Sequence, residues 1–125
     1  MSTEKRYVPP SISAEELSEE LDAFWKELKD PNSDARQIIE DERIELDADK
    51  LAELKREDVI AVHAKKAGLT GVELLVVLAP FAPVIAPVVK SASNVAEKVI
   101  LDLWDVAFKR WLRGRKRGDA LVEKK

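Results

Sequence analysis

Few residues of this chain could do chemistry, and they are scattered. His63 is the sole histidine, and there is no cysteine. A thiolate nucleophile, a thiolate metal site and a disulfide are therefore excluded. One histidine also leaves no histidine cluster for a metal and no second imidazole for acid–base work. A Ser-His-Asp arrangement would need folding to bring a serine to His63, and no nucleophile-elbow motif is present. His63 is read as a partly exposed helix residue. Asp47-Ala48-Asp49 has the spacing that opens a calcium loop, but Leu51 stands at the fifth place and no glycine follows at the sixth. The carboxylates from Glu40 to Asp49 are read as a solvated acidic face. Gly68 and Gly71 lack the other glycines and the lysine of a phosphate-binding loop. The expectation is a non-enzymatic protein with no catalytic residue, metal, cofactor or small-molecule substrate.

Two stretches carry stronger signals, and both concern binding. Lys109-Arg110-Trp111-Leu112-Arg113-Gly114-Arg115-Lys116-Arg117 packs six cations into nine residues. Lys109, Arg110, Arg113, Arg115, Lys116 and Arg117 are thus candidate contacts to an anionic surface, whether lipid or nucleic acid. Only Trp111 is interleaved with these cations, and the rest of the chain is acidic, which argues against nucleic acid. A tryptophan beside a Lys/Arg cluster suits a membrane interface. It equally suits a helix end whose cations complement the dipole and whose tryptophans lie in the core.

The second stretch, Leu74 to Val89, reads LLVVLAPFAPVIAPVV, without one charge in a chain that is 36% charged. As a helix it would span about 24 Å, short of the about 30 Å of a bilayer core. Pro80, Pro83 and Pro87 break it. Leu74, Leu75, Val77, Leu78, Phe81, Val84 and Ile85, with Trp104, Phe108 and Trp111, are the candidate membrane or partner contacts. The same residues would serve as the core of a helical domain.

The elements that must position these groups are helical in expectation. Four glycines in 125 residues, with many Ala, Leu, Glu and Lys, favour helix over sheet. Residues 1–12 read as an extended arm, ended by Pro9 and Pro10. Ser13 and Glu16 form a capping box, and Leu17, Leu21, Phe24, Trp25 and Leu28 recur at helical spacing after it. Asp22 and Lys26 are an i,i+4 pair on its other face. Ser33 caps a short helix over 34–42 bearing Ala35, Ile38 and Ile39. Asp47 caps a third helix, with Leu51 and Leu54, that continues through Val59 and Val62 to Gly68. A strand at Val59–Val62 is the competing reading, but no partner strand is evident. Thr70 and Glu73 resemble a further capping box, opening a helix to about Leu78. A long amphipathic helix follows from Pro87 to Arg113, and 114–125 reads as a mobile basic tail.

The fold expected is therefore all-α: a bundle of four to five helices, an acidic helical region at 13–68 and a proline-broken helical hairpin at 70–113 as its centre. Charge is divided unevenly. Residues 1–60 hold eighteen acidic and nine basic side chains, net −9, and residues 61–125 six and twelve, net +6. Either the acidic half folds back on the basic end, or the basic end faces an anionic surface.

Two functions follow. In one, the chain associates with membranes, as an anchor or oligomeric pore-like component, through the apolar hairpin and the basic, Trp-bearing helix end. In the other it is a helical adaptor or regulator that binds a protein partner or itself. The N-terminus lacks an apolar signal region, so the cytoplasm, with or without attachment to the inner face of a membrane, is the expected location.

Overall fold

In a computed structural model, residues 3–7, 12–67, 71–78, 88–89 and 96–115 are described. They form a three-stranded antiparallel sheet with helices packed on one face. The order along the chain is β1 (Thr3–Tyr7), α1 (Ala14–Leu28), α2 (Asp34–Asp41), α3 (Ala48–Glu53), α4 (Arg56–Val59), β2 (Ile60–Ala67) and β3 (Gly71–Leu78). A last, continuous helix comprises α5 (Ala96–Asp102), a π-helical segment (Leu103–Phe108) and α6 (Lys109–Gly114).

The all-α expectation is overturned. The sheet has the order β1-β3-β2, so the first strand and the second flank the third. Ile60 to Ala67 is strand rather than a continuation of the third helix. Its partner is the first part of the apolar run, Ile60 pairing with Leu78 and Ala67 with Gly71. Gly71 to Leu78, expected as helix, is likewise strand, and Glu73 is the rung partner of Lys65 instead of capping a helix. Valine and isoleucine lose rotamer freedom in a helix and pack well on a pleated surface, and here each apolar strand is the partner that the other appeared to lack. Thr3–Tyr7, within the expected arm, pairs with β3 as an edge strand.

The local helix signals hold. Ser13 caps α1 in a capping box with Glu16, Ser33 caps α2, and Asp47 caps α3 by accepting from the amides of Asp49 and Lys50. The third helix ends at Glu53, and α4 is a single turn before β2. Val89 forms a bridge with Leu46, and the Asp47 amide donates to the Val88 carbonyl at 2.7 Å. The helix expected from Pro87 is thus non-helical at Val89, and its described part begins at Ala96.

The core lies between the sheet and the helices. Tyr7, Leu74, Val76, Leu78 and Ile60 from the sheet meet Leu17, Leu21, Phe24 and Leu28 of α1 and Leu103, Trp104, Ala107 and Phe108 of the last helix. Every aromatic residue except Phe81, which lies outside the described residues, joins one ring cluster. Trp104 stacks on Phe108 (centroids 5.1 Å, planes 19°), and Phe108 stacks on Trp111 (5.8 Å). Phe24 meets both Phe108 and Trp111 edge-on. Such pairs add about 1 kcal/mol each beyond the area they bury. The i→i+5 pitch of the π-helical segment accompanies burial of Leu103, Trp104, Ala107 and Phe108 together.

Candidate interaction surface

The chemistry-bearing side chains fall into three groups: the basic helix end, the aromatic stripe and the two sides of β3. The basic end is held by the acidic half of the chain. Arg110 bonds Glu42 at 2.9 Å and lies 3.5 Å from Asp41. Arg115 donates from Nε to Glu20 at 2.6 Å and from a second nitrogen at 3.2 Å, and it stacks 4.8 Å from the Trp111 ring. The hydrogen bond to Glu20 is the main reason its guanidinium is held above the ordinary arginine value. Partial burial opposes this, and the charges of Glu20 and Glu27 add to it. Lys109 sits over Tyr7. Its Nζ is 3.3 Å from Asp105 Oδ1, an ion pair without hydrogen-bond geometry, and Lys5 approaches the other Asp105 oxygen at 3.6 Å. Arg113 is exposed. Lys116 and Arg117 lie outside the described residues. Of the two readings of the uneven charge, the structure brings the acidic half onto the basic end at Arg110 and Arg115.

The aromatic stripe faces inward. Trp104 and Phe108 are fully buried and Trp111 is 3% exposed. All three indole N–H groups have acceptors: Trp104 donates to Tyr7 Oη, Trp25 to the Leu54 carbonyl and Trp111 to Glu27 Oε2. Glu27 takes the Ala35 amide on its other oxygen, at 3.2 Å, joining α1, α2 and the last helix. Between these helices runs an open groove of about 380 Å³, lined by Glu27, Asp34, Gln37, Asp41, Arg110 and Arg115 among others. Its lining charges are mixed in sign and several are already paired, so it selects no one ligand.

The apolar run divides by the pleat, because successive strand residues point to opposite faces. Leu74, Val76 and Leu78 are buried against the helices, whereas Leu75 and Val77 are half-buried on the other face. The register sets their neighbours. Glu4, Val77 and Ala61 form one rung across the three strands, and Arg6, Leu75 and His63 form the next of the same face. Glu4, Arg6 and His63 are exposed, and Ala61 is half-buried. The result is a short apolar stripe along the central strand, rimmed by an acid, a base and an imidazole. Phe81, Val84 and Ile85, the remaining predicted contacts, lie outside the described residues.

Glu4, Arg6, Ala61 and His63 are members of this face that reading the sequence did not identify. The usable signal was the β-friendly stretch from Val59 to Val62; read with period two, it puts Ala61 and His63 on one side. His63 is exposed, but on a strand rather than a helix. The Asp47–Asp49 spacing serves the local fold: Asp47 caps α3, and Asp49 accepts from Arg36 at 2.8 Å. Among the described residues no group of three or more His, Cys, Asp or Glu could hold a metal ion. Nor is any helix among them long and apolar enough to cross a membrane. Compared with known proteins, the chain matches no family model, no curated protein and no solved structure.

Proposed function

We propose that this chain is a cytoplasmic protein-interaction module that acts by recognition rather than catalysis, and that the outer face of its sheet is the recognition surface. The observation that carries this reading is the position of Leu75 and Val77, half-exposed in the middle of a sheet face whose rim is charged. An apolar centre with a polar rim is the common anatomy of a protein interface. Membrane contact draws less support. Trp104, Phe108, Trp111, Leu74 and Leu78 are occupied in the core, and Arg110 and Arg115 already hold carboxylates.

The test is affinity capture from extracts of the cells that make the protein, with wild type beside Leu75→Asp. A partner is expected to be retained by wild type and lost with the variant, while the variant's circular dichroism and denaturation midpoint stay near wild type. Equal capture by a folded variant contradicts it.

A second reading, association with an anionic membrane, is favoured by one observation: Arg113 is exposed within the basic run. Flotation with vesicles containing about one-third anionic lipid at moderate salt separates the two. Recovery of the chain with the vesicles favours the membrane, and retention in the aqueous fraction favours the protein partner.

A further inference from the structure

Resting on the proposed recognition role of the outer sheet face, we infer that its occupant is a second copy of this chain, docked face to face about a two-fold axis. The two outer-face rungs that cross all three strands are self-complementary: Glu4–Val77–Ala61 and Arg6–Leu75–His63. A two-fold axis lying between two such faces, perpendicular to the strands and midway between these rungs, exchanges the rungs and keeps each strand over its own counterpart. Glu4 then stands opposite Arg6 of the second copy, and Arg6 opposite Glu4. Val77 stands opposite Leu75, and Ala61 opposite His63. Within these two rungs the acid meets a base, each large apolar residue meets another, and the smallest side chain meets the imidazole. This is the isologous pattern a closed dimer needs, in which one patch serves both sides.

The direction of docking is fixed by the charges. An axis running along the strands instead would lay β1 over β2 of the other copy and keep each rung at its own level. Glu4 would then face Ala61, and Arg6 would face His63, with no carboxylate opposite the guanidinium. The perpendicular axis keeps the two sheets within the aligned class of packing, about 10 Å apart, and their twist supplies a rotation of about 30° between strands. Arg6 also interacts within its own chain; it is exposed, and a guanidinium carries several donors.

The size of the face sets the strength. Its outer strands are about 10 Å apart, and the five residues of β1 extend about 17 Å. Such a face buries well under the about 800 Å² per partner of a standard interface. The dimer is accordingly weak, and it assembles where the chain is locally concentrated.

Sedimentation equilibrium of the full chain, from about 10 µM to about 1 mM, tests this. Wild type is expected to pass from monomer to dimer. Glu4→Arg places two like-charged pairs in the interface, and so does Arg6→Glu; each is expected to weaken association about tenfold. The double exchange, Glu4→Arg with Arg6→Glu, restores opposite signs and the original net charge, and is expected to return association to within about threefold of wild type. Ala61→Arg, on the other edge strand, sets a bulky cation opposite the imidazole and is an independent disruption should the β1 variants fold poorly. It is expected to abolish the dimer while leaving the denaturation midpoint near wild type. A chain that stays monomeric at about 1 mM overturns the inference, as does a double exchange no better than the single changes. Neither result touches the broader recognition reading, which is decided by partner capture with Leu75→Asp.

Discussion

The indole N–H of Trp104 donates to the hydroxyl oxygen of Tyr7 across 2.7 Å, tying the first strand to the last helix inside the core. Both side chains are fully buried, and their rings lie 6.1 Å apart. Tyr7→Phe keeps the ring but removes the acceptor. A buried donor left unsatisfied costs about 1–3 kcal/mol, so urea denaturation should show a loss of that size with the slope unchanged. A variant as stable as wild type would mean that this link does not hold the two ends together. Removal of residues 1–7, harmless to a detached arm, should unfold the chain, because β1 and Tyr7 go with it.

Arg43 occupies the left-handed region, with φ at 54°, immediately after the last turn of α2. The Arg43 amide donates to Glu40 O, and the Ile44 amide to Ile39 O at 3.2 Å, closing the helix as a glycine usually would. An L-residue there is strained by about 1–2 kcal/mol, and glycine returns part of that gain through a more flexible unfolded chain. Arg43→Gly should therefore stabilise the protein by up to about 1 kcal/mol, read as a higher urea midpoint.

Glu20 and Arg115 join the start of the chain to its basic end at 2.6 Å. The Arg115 side chain is 46% exposed, so solvent screening limits the pair, and a double-mutant cycle should give a coupling of about 0.5–1 kcal/mol. The arginine is raised above its ordinary value. Its contribution is then complete below that value and lost only as pH rises beyond it. The coupling should be the same at pH 6 and pH 8, which are ordinary working conditions about this pair.

What the sequence revealed of this fold was local. Ser13 with Glu16, Ser33 and Asp47 each announce a helix start within a few residues, and each start is where the structure has it. The apolar face of α1 was equally legible, since Leu17 to Leu28 repeat every three or four positions. Strand pairing is not local. Leu74 to Leu78 is apolar on both faces, so the alternation that marks a half-buried strand is hidden. Thr70 and Glu73 imitate a capping box, and β1 lies some 70 residues from its partner Leu74–Leu78. Of the proposed surface, Leu75 and Val77 were among the candidates. Their separation from Leu74 and Leu78 onto the opposite face followed only once the sheet was known.

Neighbours in the apolar run thus divide between the core and the face proposed for recognition. Urea denaturation of Leu75→Asp beside Val76→Asp tests this division most directly. Val76→Asp, which buries an unpaired carboxyl, is expected to unfold the chain or cost more than about 3 kcal/mol, while Leu75→Asp is expected to stay folded within about 1 kcal/mol of wild type. Equal losses in the two variants, or the greater loss at Leu75, would contradict it.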